Sequence, residues 1–406
     1  MGGYLVLFLS NTLSSSAGVG GGLLNVAIIH SILDHSFKEA VVLSLATILG
    51  NTLMQLAINV RARHPNKSKR SVIYWDMIAI MLPAELGGSN LGTVFADAMP
   101  PTLLYIGAIL VLMLGGVFSL KKGLHLRELE NDRRERKSKS IDNTATTNPI
   151  TTITSTSFDP LLSDGSAFEL PEPLLEAGLV DLSGANLNGS NPLPPMELPW
   201  TVICIVVAVW LCYLVLYIVM SLVPGCSMSW GLVMVFIYLI LLVVVPGTFY
   251  FLMQQQSQYP KNIVLGDVHW TSSTFAVPVV TFSIGVLTAM LGFGGGELIG
   301  PYLLHLRIPP LVSTSTSGMI SFLNTGLSLI HYGILGKVKF AESAVLFVIG
   351  MAAGLCGRLF SLAFVAKYDR ASVLILTLVA VLGLSWIVYI LYIATDTVSF
   401  AFEEVC

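Results

Sequence analysis

The stretch LGFGGGELIGPYLL, residues 291–304, places three consecutive glycines and a glutamate inside an apolar segment that otherwise has the composition of a membrane helix. Glycine loses more conformational entropy on ordering than any other residue and weakens a helix. A buried acid is costly where lipid supplies no water. We therefore expect the helix to break at these glycines.

The composition predicts an all-α polytopic membrane protein. Of 406 residues, 54% are hydrophobic and only 11% are charged, and the mean hydropathy is +0.79, which excludes an ordinary soluble domain. A spanning helix needs about 20 apolar residues, and such runs lie near 38–60, 72–95, 101–120, 200–222, 230–252, 311–332, 340–366 and 371–393. No basic region precedes the first apolar run, so we expect no removable signal peptide.

Two further apolar segments, 4–33 and 274–305, are overlong and broken by glycine. AGVGGGLLNVAII (17–29) aligns with LGFGGGELIGPYL (291–303), and four later positions match with one residue of slippage: Ser44, Asn51, Thr52 and Leu56 with Ser317, Asn324, Thr325 and Leu329. The chain is therefore expected to contain two homologous repeats, each a glycine-broken segment followed by three transmembrane helices. Interrupted segments at matching positions point to a transporter's binding site.

Each broken segment is expected to be a hairpin. A thirty-residue helix would be about 45 Å long, which exceeds a hydrocarbon core of about 30 Å, whereas each half would reach only about 20 Å. If each hairpin returns to its own side, the two joining helices leave the second repeat inverted relative to the first. If each segment instead crosses once, the repeats are parallel; the inverted arrangement is favoured.

Charges are segregated along the chain. Residues 121–139 hold eight Lys/Arg and four acids, whereas 140–199 hold eight acids and no Lys or Arg in a Ser/Thr/Asn/Pro-rich background typical of a disordered loop. The basic run RARHPNKSKR (61–70) would lie on the same face, which the positive-inside rule makes cytoplasmic. LPEPLLEAGLVDL (170–182) could dock a cytoplasmic partner of the 140–199 loop, although a solvated loop is favoured.

The expected organisation is a first transmembrane repeat at 1–120, a cytoplasmic basic then acidic disordered loop at 121–199, two joining transmembrane helices at 200–252, a connecting loop at 253–273, a second transmembrane repeat at 274–393 and a tail at 394–406.

The glycine runs suit an anion. Irregular backbone at membrane depth is tolerated only where it is buried in protein or lines a wet cavity, and a helix start offers N–H donors and about half a positive charge. As an alternative to anion binding, the glycines could serve close helix packing. The serine and threonine hydroxyl groups could likewise donate hydrogen bonds only to the backbone of their own helices. The predicted substrate-binding residues are Gly20, Gly21, Gly22, Ser44, Thr47, Asn51, Gly294, Gly295, Gly296, Glu297, Thr314, Ser317, Ser321 and Asn324.

Ionisable residues within the spans are candidates for functional roles, because such residues are rare in membranes. Glu297 is equally compatible with a proton relay or anion gate and with helix capping. Glu85 and Arg358 occupy comparable places in the third span of each half and are expected to pair structurally, with each other or with polar backbone. His331 is expected to be an interfacial residue.

Several motifs resemble one known family. Gly-x-Gly-Gly-Gly in both halves, RARHP (61–65), YWD (74–76) and GGGELIGPYLLHLRIPPLVSTSTSGMISFLNTGLSLIHYGILGKV (294–338) resemble the TauE/SafE sulfite exporter family in its eukaryotic form. The resemblance covers roughly 4–125 and 200–393, and it implies export of sulfite or organosulfur anions. The proline usual after the first GGG is missing, whereas Pro301 is present in the second half, so the first hairpin is expected to differ in shape or use.

Enzymatic readings are disfavoured. GLSLIHYG (326–333) places a serine and His331 on one helix, whereas a serine nucleophile needs a base oriented towards it. The glycine runs lack the Lys-Ser/Thr ending of a phosphate loop. No CxxC or metal-ligand spacing occurs among the five cysteines: Cys204, Cys212, Cys226, Cys356 and Cys406. We expect no enzyme, catalytic residue, metal, cofactor or nucleic-acid partner.

The sequence thus predicts a multi-pass membrane transporter that exports a small sulfur-containing anion, sulfite or an organosulfonate. The alternative is a membrane receptor or scaffold that signals through the 121–199 loop. The expected partners are the anion and the lipid bilayer. The sequence leaves open the substrate itself, proton coupling, the oligomeric state, and whether the plasma membrane or an endomembrane holds the protein.

Overall fold

The computed structural model describes residues 2–17, 20–64, 67–145, 196–223, 227–258, 267–292, 294–368 and 372–395. Within these ranges the chain forms twelve α-helices: α1 Gly2–Ser16, α2 Gly22–Leu33, α3 Phe37–Asn59, α4 Trp75–Ala98, α5 Pro101–Ala145, α6 Trp200–Leu222, α7 Met228–Gln258, α8 Ala276–Leu291, α9 Gly296–His305, α10 Pro310–Ile334, α11 Phe340–Tyr368 and α12 Ser372–Thr395. A small hairpin of β1 Arg63–His64 and β2 Lys67–Ser71 joins α3 to α4.

All eight predicted apolar runs are confirmed as helices. Six of the helices are long and apolar enough to cross a membrane, namely α3, α4, α5, α6, α7 and α11. Helix α10 is also 25 residues long, but Ser and Thr residues crowd its first half. The described apolar part of α12, Ser372–Val388, is shorter than a usual span. The protein is an integral, multi-pass membrane protein.

Both overlong segments are broken as expected, into α1–α2 and α8–α9. The backbone at Gly21, Gly292 and Gly295 has φ angles of 85°, 73° and 72°, a left-handed conformation that glycine adopts without steric cost. Asn11 of α1 donates a hydrogen bond to Asn25 of α2 at 2.6 Å. In one continuous helix these residues would be about 21 Å apart, so α2 folds back along α1.

Helix α5 corrects the expected boundary of the central loop. The predicted loop began at residue 121, but α5 continues through the basic run to Ala145, so 121–145 is helix. Glu130 on this extension accepts hydrogen bonds from the backbone N–H of Ser372 at 2.9 Å and from its hydroxyl at 2.5 Å. The extension thus packs against the start of α12. Residues 146–195, including the proposed docking segment 170–182, lie outside the described residues.

Helices α3 and α10, which occupy matching places in the two halves, pack antiparallel. Arg358 bridges Asn59, the last residue of α3, and Ser315 near the start of α10. Further along, a β-carbon built on Gly326 of α10 would lie 3.6 Å from Leu49 of α3. The numbering therefore runs in opposite directions along the contact.

The halves also exchange helices. Helix α1 packs against α11, while α8 packs against α4, so the first helix of each half lies on the second long helix of the other. Such exchanged contacts, with antiparallel α3 and α10, are the pattern that two inverted repeats would produce. The inverted repeat itself stays a prediction, and these contacts favour it.

Each end of the bundle carries an ion-pair cluster. At one end Lys339 lies 2.9 Å from Glu39. At the other, Arg70 of β2 donates to Asp267 at 2.5 Å. Burial lowers the pKa of Arg70, but the interactions with Asp267, Tyr74 and Asp76 together outweigh this and leave the pKa raised. Arg70 lies in the basic 61–70 segment, so the positive-inside rule predicts that its end is cytoplasmic.

Candidate functional site

The two glycine runs meet in the interior of the protein. A β-carbon built on Gly22 would lie 3.1 Å from the backbone nitrogen of Gly294 and 3.0 Å from Glu297 Oε1. Ser321 of α10 is adjacent to both runs: its Oγ would lie 3.4 Å from a β-carbon on Gly20 and 2.9 Å from one on Gly294. The start of α2 and the start of α9 are therefore neighbours, as the sequence predicted for a pair of facing helix starts.

This arrangement is favourable for negative charge. The N-terminal end of a helix carries about half a positive charge and N–H groups that lack intrahelical partners. Two such ends lie here beside each other, and the side chains of Ile48, Ser321 and Glu297 contact the glycines at this junction. A small anion at this position would interact with both helix starts.

The two asparagines predicted for the site both lie there, and both are buried. Asn51 donates its amide to the carbonyl of Gly20 at 3.1 Å and accepts from Gln55 at 3.0 Å. Asn324 donates to Glu85 Oε1 at 2.9 Å, while its own Oδ1 has no hydrogen-bond partner among the described residues. Asn51 thus fixes the first glycine run, and Asn324 orients an acid.

The predicted hydroxyl groups mostly bond their own helices. Thr47 donates to Leu43 O, and Thr314 and Ser317 donate to carbonyls three residues before them. Ser44 donates to Val41 O at 2.8 Å and approaches Gly292 O at 3.4 Å. Ser321 differs, since it donates to Gly294 O of the second glycine run. In this conformation most of these hydroxyl groups must rotate before they can donate to an anion.

A carboxyl group lies at the start of each short helix. Glu297 is fully buried and reaches the first residue of α2, as its distance from the β-carbon position of Gly22 shows. Glu85 of α4 is also fully buried, and a β-carbon on Gly295 would overlap with its Oε1. A side chain on Gly21 would likewise overlap with Asn11 Oδ1. The protein therefore places its own acids where an anion is expected.

Glu85 and Arg358 do not pair with each other, so that part of the prediction is wrong. Glu85 bonds Asn324, and its Oε2 has no hydrogen-bond partner within the described ranges. Arg358 instead bonds Asn59, Thr314 and Ser315. The only sequence signal for Glu85 as a site residue was an acid within an apolar span, because its neighbours come from α9 and α10.

The interfacial position expected for His331 stays a prediction. The residue lies near the end of α10 and is buried, with its Nδ1 at 2.8 Å from the hydroxyl of Ser221 and its ring against Tyr217 at 5.3 Å between centroids. These contacts join α10 to α6 outside the glycine site.

A cavity of about 310 Å³ lies at the Arg70 end of the bundle, where β2, Tyr74 and Trp270 line it.

Comparison with known proteins places the chain in one family. The family described as Sulfite exporter TauE/SafE matches residues 3–154 and 190–385. The chain belongs to the TauE/SafE sulfite exporter family. It is therefore a membrane transporter with a small anionic substrate in a lipid environment.

The similar curated proteins include members of this family from Arabidopsis thaliana. Sulfite exporter TauE/SafE family protein 2 is 24% identical over 419 residues, covering 97% of this chain and 82% of the relative. Family protein 1 is 24% identical over 393 residues, covering 93% and 80%. Family protein 6 is 32% identical over 111 residues, which is 27% of this chain and 26% of the relative. No solved structure matches the chain significantly.

Proposed function

We propose that this TauE/SafE protein exports sulfite or an organosulfonate from the cytoplasm, and that the anion binds between the starts of α2 and α9. The observation that carries this proposal is the convergence of the two glycine runs, with Gly22 and Gly294 in contact distance inside the membrane bundle. Two helix starts and neutral donors can hold a small anion without a lysine and still release it.

A polar seam supports a path to this position. It runs between antiparallel α3 and α10, and its members are buried: Asn51, Gln55, Asn59, Thr314, Ser315, Ser317 and Ser321. Polar side chains in a membrane bundle are costly unless they are partnered or serve a pathway. The seam joins the glycine runs to the end of α3, which lies on the cytoplasmic side.

The two buried acids suggest how the anion is released. The carboxyl group of Glu297 reaches α2, and that of Glu85 reaches α9. A substrate anion would have to compete with these groups, or bind when they are protonated. Export needs no coupled ion, because the electrical free energy of an anion falls by about 2.3 kcal/mol per charge per 100 mV when it leaves a cytoplasm at negative potential.

The test is transport by purified protein in proteoliposomes, with sulfite, sulfate and methanesulfonate as separate substrates and with pH and voltage gradients imposed in turn. Gly22→Ala places one methyl group between the helix starts, so we expect its flux to fall at least tenfold. Gly333→Ala is the matched control, because no atom lies within 4 Å of its new β-carbon. Wild-type flux from a folded Gly22→Ala protein would contradict the site.

The receptor or scaffold alternative gains no support. It depends on the 121–199 loop, of which 121–145 is helix and 146–195 lies outside the described residues. A wild-type protein that moves none of the three anions under any gradient would favour it over export.

A further inference from the structure

Arg358 lies in the interior of the bundle, on α11, with none of its surface exposed. Its Nε donates to Asn59 Oδ1 at 3.0 Å, its Nη2 to Ser315 Oγ at 3.1 Å and its Nη1 to Thr314 Oγ1 at 3.5 Å. All three acceptors are neutral. Over the described part of the chain, no carboxylate forms an ion pair with this guanidinium.

A buried cation with only neutral partners is incompletely compensated. Arginine stays charged in proteins, and removing such an ion from water costs several kcal/mol. The C-terminal end of α3 at Asn59 supplies about half a negative charge, which offsets part of that cost. A guanidinium has five N–H donors, and three are used, which leaves one N–H on each terminal nitrogen. The balance favours binding of an anion here.

The position of Arg358 also connects it to the glycine runs. Its partners Thr314 and Ser315 belong to the serine- and threonine-rich start of α10, which continues through Ser317 to Ser321. Along α3, Asn59 is about 12 Å from Asn51 at 1.5 Å per residue. Asn59 ends α3 just before the basic hairpin, so an anion leaving the cytoplasm would meet Arg358 before it reached the glycines.

We propose that Arg358, with Thr314 and Ser315, forms a second binding position for the transported oxyanion on the cytoplasmic side of the glycine runs. The two remaining N–H groups suit an anion with two accessible oxygens, because guanidinium binds such groups bidentately. This inference rests on the proposed export function. Arg358 is fully buried, so loading requires the cytoplasmic end of the seam to open.

The experiment measures initial rates of radiolabelled sulfite transport in oriented proteoliposomes, with the sulfite concentration varied on one face at a time. For Arg358→Gln we expect the KM on the cytoplasmic face to rise at least tenfold, with a smaller change in maximal rate and no change in KM on the opposite face. Arg358→Lys keeps the charge but not the fork, so its KM should rise about threefold. Lys121→Gln is the control: it also removes one positive charge, at an exposed residue expected on the cytoplasmic side, and its KM should match that of wild type.

Binding is measured separately, as the rise in unfolding temperature that sulfite produces in detergent. Wild type and Arg358→Lys should show the rise and Arg358→Gln should lose most of it. An unchanged cytoplasmic KM in folded Arg358→Gln would overturn the proposal. It would also be overturned if Arg358→Gln and Arg358→Lys lost stability and maximal rate to the same extent while their KM stayed at the wild-type value. Should Arg358→Gln not fold, an unchanged KM in Arg358→Lys would overturn it. Wild-type protein that binds sulfite without moving it would refute export but leave the Arg358 position standing.

Discussion

Glu85 and Glu297 each bring a carboxyl group to the start of a short helix in the opposite half of the chain. Glu297 begins α9 but reaches Gly22 of α2, while Glu85 of α4 lies against Gly295. An ionised carboxylate at a helix start is stabilised by the same N–H groups that would bind a substrate anion. We therefore predict that the charge of these acids controls substrate affinity, in addition to any capping role.

Glu297→Gln tests that control. A protonated carboxyl group does not compete with an anion, so protonation of wild-type Glu297 should raise the affinity for substrate. The variant is neutral at every pH, so its KM should be severalfold lower than wild type near neutrality and nearly independent of pH. Efflux of methanesulfonate, whose charge is constant over this range, at clamped voltage measures the effect.

Glu342→Gln is the control for this prediction, because Glu342 is an acid at the bundle end with a partly exposed side chain. Its pH profile should match wild type. A wild-type pH profile from a stable Glu297→Gln protein would leave Glu297 with a capping role alone and voltage-assisted efflux as the mechanism.

At the level of single residues, local patterns were enough for some assignments and not for others. Glu297 and the glycines could be found because chemistry and chain break coincide within a few residues. The partners of Glu85 and Arg358 could not, because Asn324 and Asn59 come from distant parts of the chain. Equivalent places in two repeats indicated that these residues correspond, but correspondence does not imply contact.

The helices α3 and α11 make backbone contact where two glycines face each other. A β-carbon on Gly50 would overlap with the carbonyl of Phe347, and one on Gly350 would overlap with that of Thr47. Small residues permit such close approach, which strengthens packing where lipid supplies no hydrophobic driving force between helices. This contact also fixes the side of α3 that carries Asn51.

Gly350→Ala should therefore destabilise the protein by about 1–3 kcal/mol, since the added methyl group must force the two backbones apart. Its unfolding temperature in detergent should fall measurably. Gly383→Ala on α12 is the control: no atom lies within 4 Å of its new β-carbon, and alanine raises helix propensity by about 1 kcal/mol at most. Equal stability of both variants would show that α3 and α11 are not held by this contact.

Helical elements were predictable because hydrophobic length and glycine breaks are local properties. The breaks at Gly21 and Gly295 followed from the two GGG runs, and their left-handed backbone explains why glycine is required there. The extension of α5 was missed because a polar, charged segment was read as loop. Contacts between Glu130 and Ser372 stabilise that extension, and they depend on tertiary packing.

The whole molecule is organised around antiparallel α3 and α10, with α1 on α11 and α8 on α4. In this arrangement the link before α3 and the link before α10 lie at opposite ends. Ion pairs agree with that placement, since Lys339 after α10 contacts Glu39 at the start of α3. Hydropathy identifies the spans but gives no orientation for a glycine-broken hairpin, so the choice between inverted and parallel repeats needs the packing between halves.

Cysteine accessibility decides between these topologies. In a protein whose native cysteines are replaced, Ser36→Cys before α3 and Arg307→Cys before α10 place single thiols at exposed positions in corresponding links of the two repeats. Inverted repeats predict that a membrane-impermeant maleimide labels Ser36→Cys only from the non-cytoplasmic face and Arg307→Cys only from the cytoplasmic face. Lys69→Cys, in the basic hairpin, is the reference position, which we expect to be labelled only from the cytoplasmic face. Labelling of both thiols from the same face would instead establish parallel repeats and would require each broken segment to cross the membrane once, which would separate the two helix starts from the shared site proposed for the anion.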